Sequence, residues 1–334
     1  MAFEKNMLWI KNTIYTSTEG IEPVSGILLM NGINGYEVLD GRDFEDFLEN
    51  KEVYFDYIEE DLLKLKDCET TVTFYVPENA QGLETILAVK SGLQKLKAER
   101  DDCGRLKMDS DTKLEEEDWE NNWKKYFKPF PVGKNLIVKP TWEKYENDGN
   151  KTVIEIDPSS SFGTGSHTTT RLCLEKIEES LENCTKDEKE LLDMGCGSGI
   201  LGIAAIKLGA KHVRAVDIDE NSVRIAKENF AVNGISGDKY EVFAGNVLEY
   251  GDFYNVLKSR KYDLIAANIV ADVIKMMADL FKELLKDDGK LICSGIIAER
   301  ADEVTKSLEK AGFKVCGFTE KEEWAVIVLC HDSL

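Results

Sequence analysis

The sequence predicts an α/β fold in which a doubly wound parallel sheet with a terminal antiparallel strand follows a small ferredoxin-like α+β domain. From residue 190 to residue 310, strand-like apolar runs alternate with helical patterns, which is typical of a parallel sheet covered on both faces. Two further strand-like segments, 313–318 and 324–329, have no helix between them and predict the antiparallel addition. Residues 1–108 show the order β-α-β-β-α-β, which predicts the smaller domain.

The chain has 334 residues, too many for one ordinary hydrophobic core, so we expect more than one domain. We place the ferredoxin-like domain at 1–108, a linker helix at 109–130 and the larger domain at 131–334. In the first domain we predict strands at 7–15, 36–39, 70–76 and 105–109 and helices at 21–30 and 80–96. Because this domain holds no compact catalytic constellation, we expect it to recognise a partner.

The predicted linker is acidic and has one aromatic face. Acidic residues precede Trp119, and Trp119, Trp123 and Phe127 repeat at helical spacing before Pro129 ends the helix. Such a face predicts docking between two domains. Base stacking is disfavoured, because the flanking acids repel phosphate.

The larger domain begins with a predicted hairpin of strands 135–142 and 152–157. A loop rich in glycine and hydroxyl side chains then leads into a helix at 171–181, with Thr168 or Thr169 as its cap. The remaining pattern predicts strands at 191–192, 212–218, 241–244, 262–269 and 290–296, and helices at 200–208, 221–230, 273–285 and 298–310.

Charge limits the class of partner. The chain has 63 Asp and Glu against 42 Lys and Arg, a formal net charge of -21. Such a surface repels phosphate backbones and anionic lipid, so we expect no nucleic-acid reading and no membrane binding, and a basic partner is favoured. Acidity that serves solubility alone is the alternative.

Neither a membrane span nor a metal site is predicted. Apolar stretches are too short to cross a bilayer and the N-terminus lacks a signal-peptide pattern, so we expect a soluble, cytoplasmic protein. The eight cysteines form no Cys-x-x-Cys pair and are expected to be reduced thiols. The histidines, His167, His212 and His331, fall in unrelated segments and predict no metal.

A glycine-rich turn carries the functional prediction. An apolar run reaches Asp193 and turns through Gly195, Gly197 and Gly199 into a helical segment, and the next apolar run leads to Asp217. Glycines let a ligand approach the backbone, and a carboxylate at the end of the next strand accepts from ribose hydroxyls. The pattern therefore indicates a nucleoside site.

The glycine spacing fits two ligands, a dinucleotide and S-adenosylmethionine. Asp193 favours the second, because it suits the cationic amino-acid end of S-adenosylmethionine and repels a pyrophosphate. We therefore predict S-adenosylmethionine as the cofactor.

With these residues the chain resembles the bacterial ribosomal protein L11 methyltransferase family. The resemblance covers essentially the whole chain and is carried by the linker at 119–129, the Phe-Gly-Thr-Gly loop within 157–170, the glycine turn at 191–199 and Ala-Asn-Ile-Val-Ala at 267–271. It implies a class I, Rossmann-like, S-adenosylmethionine-dependent enzyme that methylates lysine and N-terminal amino groups of a large-subunit ribosomal protein. It also implies that the first domain recognises this protein and that the linker lets the catalytic domain reposition.

The resemblance places the cofactor contacts at Thr170, Gly195, Asp217 and Asn268. The side chains suit these roles: Thr170 offers a hydroxyl at a helix start, Asp217 accepts from a ribose, and Asn268 stands at the carboxyl end of a predicted strand. The Asn268 amide can hold the methionine end of the cofactor, the methyl acceptor, or both.

Three departures from the family pattern are visible, and the first is the Ser-Ser-Ser run at 159–161, where a Gly-Leu-Ala type run is commoner. The usual His-Pro-Thr-Thr is His-Thr-Thr-Thr at 167–170, which frees the loop but leaves Thr170 in place. Asn246 stands in the region where an acid often accepts from the adenine amine, and its carbonyl can also accept.

The implied reaction needs positioning and desolvation more than a particular base. A lysine amine must lose its proton before it attacks, which burial beside a sulfonium favours. No catalytic residue is assigned, and His167 is expected to order its loop. Two alternatives remain: a methyltransferase for another protein or small-molecule amine, and a NAD-binding oxidoreductase or non-catalytic nucleoside-binding module. The oligomeric state stays open.

Overall fold

The computed structural model describes residues 9–33, 35–42, 69–111, 127–147, 149–157, 164–182, 189–249 and 252–332. The chain forms two units, Met1–Tyr126 and Phe127–Leu334, and the division falls within the predicted linker. Apart from Phe127, the aromatic face of that linker lies outside the described residues. In the described part of the chain, no helix is long and apolar enough to cross a bilayer.

The first unit contains a four-stranded antiparallel sheet with two helices. Its elements are β1 (Trp9–Tyr15), α1 (Thr18–Met30), β2 (Tyr36–Leu39), β3 (Thr71–Pro77), α2 (Ala80–Glu99) and β4 (Lys107–Asp111). The strand order β2-β3-β1-β4 confirms the predicted ferredoxin-like arrangement. β4 begins at Lys107 rather than at 105, because Gly104 and Leu106 have left-handed φ angles of 73° and 47° and turn the chain there.

A three-stranded sheet opens the second unit. β5 (Phe130–Val132) pairs antiparallel with β6 (Leu136–Pro140), and β6 pairs parallel with β7 (Thr152–Ile156). The predicted hairpin between the second and third of these strands is therefore wrong. Thr152, the first residue of β7, lies beside Leu136, the first residue of β6, so the two strands run in the same direction. The tight hairpin joins β5 to β6 instead.

The large sheet consists of β8 (Glu190–Met194), β9 (His212–Asp217), β10 (Tyr240–Ala244), β11 (Tyr262–Asn268), β12 (Leu285–Ile297), β13 (Phe313–Lys321) and β14 (Trp324–His331). Its strand order is β10-β9-β8-β11-β12-β14-β13. The strands from β10 to β12 in this order are parallel, and β14 runs antiparallel to both of its neighbours. This confirms the doubly wound sheet with a terminal antiparallel strand.

Helices cover both faces of this sheet. They are α3 (Thr168–Leu181), α4 (Ile200–Lys207), α5 (Glu220–Val232), α6 (Asp252–Lys258), α7 (Ala271–Met276), α8 (Ala278–Leu284) and α9 (Ala301–Lys310). Successive strand residues enter opposite cores: Leu191 and Leu264 pack with α3, α4 and α5, whereas Leu192 and Ile265 pack with α6 to α9. The strands are therefore buried on both sides, as the near-continuous apolar runs predict.

Two helical segments differ from the sequence prediction. The helix predicted at 273–285 is divided into α7 and α8 at Met277, whose ψ of 1° departs from helical values. α6 is not predicted, and it places Leu257 in the core as a buried anchor. Tyr254 packs beside it, and a seven-residue helix with these two core contacts gives too little periodicity to be predicted.

Glu178 on α3 ties this helix to the turn between β5 and β6. It is 3% exposed, and its two oxygens accept from the backbone amides of Lys134 and Asn135, each at 2.6 Å. Because Glu178→Ala leaves both amides without this partner, we expect the free energy of unfolding to fall by about 3 kcal/mol, measured by urea denaturation. Glu182→Ala, one turn later, removes an exposed ion pair with Lys134 and should cost less than about 1 kcal/mol. Equal losses in the two variants would contradict this role of Glu178.

Candidate active site

Three predicted site residues lie side by side at the carboxyl edge of the large sheet. The last residue of β8 pairs with the penultimate residues of β9 and β11, so Gly195, Asp217 and Asn268 occupy equivalent positions on adjacent strands. The strand order reverses at this point, because β9 and β10 lie on one side of β8 and β11 lies on the other. Open α/β sheets bind their ligands outside the carboxyl ends of the strands at such a reversal.

The glycine turn folds over the end of β9. The backbone amides of Gly195 and Cys196 both donate to the carbonyl of Val216, at 2.8 and 2.9 Å. Gly195 has a φ of 73°, and a Cβ added there would lie 2.3 Å from Cγ2 of Ile269. Both the left-handed backbone and the close approach of Ile269 therefore require glycine at this position.

The Asp217 carboxylate is oriented by the backbone on both sides of it. Oδ2 accepts from the amide of Gly197 at 2.8 Å, and Oδ1 accepts from the amide of Asp219 at 2.9 Å. Asp219 itself caps α5 by accepting from the amide of Asn221. These two bonds fix the orientation of the Asp217 carboxylate, whose oxygens are acceptors of the kind that ribose hydroxyls require.

Asn268 joins the sheet edge to the start of α3. Its Nδ2 donates to Oγ1 of Thr170 at 3.2 Å, and Thr170 is 1% exposed. Its Oδ1 is buried and has no hydrogen-bond partner among the described residues. A buried carbonyl without a donor is unfavourable by roughly 1–3 kcal/mol, so this atom calls for a donor that the described residues do not supply.

His167, and not a threonine, caps α3. Its Nδ1 accepts from the amide of Thr169 at 3.3 Å and lies 2.8 Å from the Thr169 hydroxyl. The ring is buried and meets Trp324 edge-on, with the ring centroids 5.0 Å apart. This environment agrees with the predicted loop-ordering role of His167.

Asp193, the fourth residue of β8, has a buried side chain just before Gly195. It is 0% exposed, and its Oδ2 accepts from the amide of Gly202 in α4 at 2.9 Å. Its Oδ1 is also buried and has no hydrogen-bond partner among the described residues, so a contact of Asp193 with the cationic end of the ligand stays a prediction. Burial raises the pKa of the Asp193 carboxyl to about 8, the charge of Asp217 adds to the rise, and the bond from Gly202 opposes it.

This pKa has a consequence for stability. The folded protein holds the Asp193 proton more tightly than the unfolded chain, whose carboxyl titrates near its ordinary value of 3.8. The contribution of Asp193 to the free energy of unfolding should therefore fall as pH rises from about 4 to about 8, by up to about 1.4 kcal/mol per pH unit, and level off above that. Asp193→Asn should remove this dependence, so we expect it to gain stability relative to the wild-type protein between about pH 5 and about pH 8.

Urea denaturation at about pH 5, 7 and 9 measures this difference. Asp288→Asn, at an exposed carboxyl on β12, is the control and should follow the wild-type curve. A stability difference between Asp193→Asn and wild type that does not change with pH would contradict the raised pKa.

Asn246 is engaged in a local turn after β10. Its Oδ1 accepts from the amide of Leu248 at 3.1 Å, and its Nδ2 donates to Glu249 at 3.0 Å. An adenine contact through this carbonyl would use its second acceptor site. Within the described ranges, no group of three or more His, Cys, Asp or Glu side chains could hold a metal ion.

Comparison with known proteins decides the family. The family model described as "Ribosomal protein L11 methyltransferase (PrmA)" matches residues 8–331. The chain belongs to this family. Two relatives from strains of Clostridium perfringens, each named "Ribosomal protein L11 methyltransferase", are 38% identical over 320 residues, 96% of this chain and 97% of each relative. A crystal structure of ribosomal protein L11 methylase from Lactobacillus delbrueckii subsp. bulgaricus matches with a TM-score of 0.54 and 30% identity, over 62% of this chain and 100% of that one.

Family membership decides between the two ligands that fit the glycine turn. The chain is an S-adenosylmethionine-dependent methyltransferase of the class I, Rossmann-like fold, as predicted. The dinucleotide interpretation of the glycine spacing is therefore set aside.

The side chains at the sheet edge fit this cofactor. S-adenosylmethionine presents ribose hydroxyls and an ammonium group, all of them donors, and Asp217 and Asn268 present acceptors. Of these two side chains, Asn268 gives the stronger indication of a bound ligand. A bound amine would supply the donor that its buried Oδ1 lacks among the described residues.

Proposed function

We propose that this protein transfers methyl groups from S-adenosylmethionine to amino groups of ribosomal protein L11, both lysine side chains and the N-terminal amine. The observation that carries the proposal is the buried, unpartnered Oδ1 of Asn268 at the carboxyl edge of the sheet. Its neighbours Gly195 and Asp217 form the nucleoside side of the same edge. The family adds the substrate, since relatives covering nearly the whole chain carry the L11 methyltransferase name.

We assign Thr170, Gly195, Asp217 and Asn268 to cofactor binding. Asp217 holds the ribose, and Gly195 lets the turn lie close to the ligand. Asn268 accepts an N–H with Oδ1, and its bond to Thr170 fixes the plane of the amide. The cofactor supplies an electrophilic methyl group when it is bound.

The protein's part in the chemistry is to bind and orient a neutral amine. Lysine has an ordinary pKa near 10.4, so its amine must lose a proton before it attacks. A buried carbonyl such as that of Asn268 can accept an N–H of the neutral amine and leave the lone pair of the amine nitrogen free to attack. Desolvation lowers the pKa of the amine, which favours the neutral form that attacks. No general base is assigned, because Nδ1 of His167 already faces the Thr169 amide and hydroxyl.

We assign recognition of the protein substrate to the first unit and repositioning of the catalytic unit to the linker. The net charge of -21 complements a basic ribosomal protein. We assign the enzyme to the cytoplasm, because its proposed substrate is a ribosomal protein. Methylation of another protein or of a small amine would share the same sheet edge and is the alternative to test.

One experiment tests the activity and the substrate together. Purified L11 is incubated with the protein and isotopically labelled S-adenosylmethionine, and the peptides are analysed by mass spectrometry. We expect label on lysine side chains and on the N-terminal amine. Label on other proteins but not on L11 would reject the substrate. Calorimetric binding of NAD without binding of S-adenosylhomocysteine would reject the activity.

A further inference from the structure

The turn between β13 and β14 has an unusual backbone. Lys321 pairs with Trp324, so Glu322 and Glu323 form a two-residue turn, which we call the terminal turn. Glu322 has a φ of 57° and is one of two non-glycine residues with a left-handed φ among those the structure describes. Glycine, asparagine and aspartate are the usual residues for this conformation. The chain therefore keeps a glutamate where glycine would be less strained.

The Glu322 side chain reaches the start of α3. Its Oε2 accepts from Oγ1 of Thr168 at 2.6 Å, and Thr168 is the buried first residue of that helix. Such a bond to a charged acceptor is stronger than one between neutral groups. Trp324, at the other end of the terminal turn, packs edge-on against His167, which caps the same helix.

These contacts continue into the candidate active site. Thr170, in the first turn of α3, accepts from Asn268. On the other side of Asn268, its β12 partner Ser294 donates through Oγ to the carbonyl of Ala325, the second residue of β14. The β13–β14 hairpin therefore contacts both the helix that bonds the Asn268 amide and the strand that pairs with Asn268.

We propose that Glu322 is a positioning residue that fixes the start of α3 through Thr168 and thereby places Thr170 and Asn268 for methyl transfer. The inference rests on the proposed function of this site. It explains why a strained glutamate is present, since the strain keeps the carboxylate directed at Thr168. Glu322 touches neither cofactor nor amine and acts through the helix start.

The strain itself gives a variant that separates positioning from folding. Glu322→Gly removes the carboxylate and relaxes the backbone, so we expect the melting temperature to stay the same or to rise. The affinity for S-adenosylhomocysteine, measured by calorimetry, should fall by about tenfold, and the methylation rate at saturating donor should also fall. Glu322→Gln keeps an acceptor of the same length and should stay within about threefold of wild type.

Two further variants make the test decisive. Glu323→Ala removes the same charge from an exposed side chain in the same turn and keeps the backbone carbonyl that accepts from the amide of Ala298, so it should bind as the wild type does. Thr168→Val removes the donor, and because both partners act through one bond, the double variant with Glu322→Gly should bind no more weakly than either single variant.

The outcomes distinguish the two proposals. Wild-type affinity in Glu322→Gly, or additive losses in the double variant, would overturn the positioning role alone. An equal loss in Glu323→Ala would show a general charge effect and would overturn it as well. Failure of the wild-type protein to bind S-adenosylhomocysteine would overturn the proposed function, and this inference with it.

Discussion

Asn268→Ala should lower the rate of L11 methylation by about 10²–10³-fold while leaving the fold intact. The loss in rate follows because Oδ1 is the buried acceptor at the sheet edge, and alanine cannot orient an amine. The fold should tolerate the change, because removing a buried carbonyl that has no partner among the described residues offsets much of the cost of losing the Nδ2 bond to Thr170. We expect the free energy of unfolding to change by less than about 1 kcal/mol.

Methyl transfer from labelled donor to L11 measures this effect, and urea denaturation checks the fold. Asn135→Ala is the matched control, because Asn135 is exposed in the turn before β6. The variant keeps the backbone amide that donates to Glu178. The control should methylate L11 at the wild-type rate. A wild-type rate in Asn268→Ala would place the reacting amine elsewhere.

Asp217→Ala should weaken binding of S-adenosylhomocysteine by about 100-fold, the second largest effect we expect. Two losses combine in this variant. The ribose loses its acceptor, and the amide of Gly197 loses the carboxylate that holds the glycine turn over β9. Asp217→Asn keeps an oxygen of similar position and should lose less, about tenfold, because only the charge and one acceptor oxygen are removed.

Calorimetry measures both affinities, and thermal unfolding shows whether the turn or the whole fold is affected. Asp288→Asn removes an equal charge from the start of β12, at the opposite edge of the sheet, and should bind normally. If Asp217→Ala bound the ligand as tightly as wild type, the ribose would not lie at this carboxylate.

Much of the large sheet is predictable from sequence, because its strands are buried on both faces. Continuous apolar runs such as Leu191–Leu192 and Leu264–Ala267 have few alternatives, and the glycine turn marks where the first of them ends. The hairpin predicted at 135–157 fails because the turn signal at 147–150 is local. Only the pairing partner of Thr152, which sequence does not reveal, decides that the strands are parallel.

Some residues of the candidate site are predictable from sequence and others are not. Gly195, Asp217 and Asn268 are predictable since each follows an apolar strand, and strand ends meet at one edge. The motif predicts that Asp193 faces the ligand, but it does not indicate the bond that Oδ2 of Asp193 accepts from the amide of Gly202, which depends on the packing of α4 against β8. Glu322 gives no signal in sequence, because its φ and its contact with Thr168 exist only after the chain has folded.

The alignment of three site residues at one sheet edge restricts insertions and deletions in the strands that hold them. These residues are Gly195, Asp217 and Asn268. Inserting or deleting one residue within β8, β9 or β11 would move that strand's site residue out of line and exchange the two sets of side chains that fill the opposite cores. Length variation among relatives should therefore be confined to connections between strands, and codon insertions in these three strands should abolish both folding and methylation.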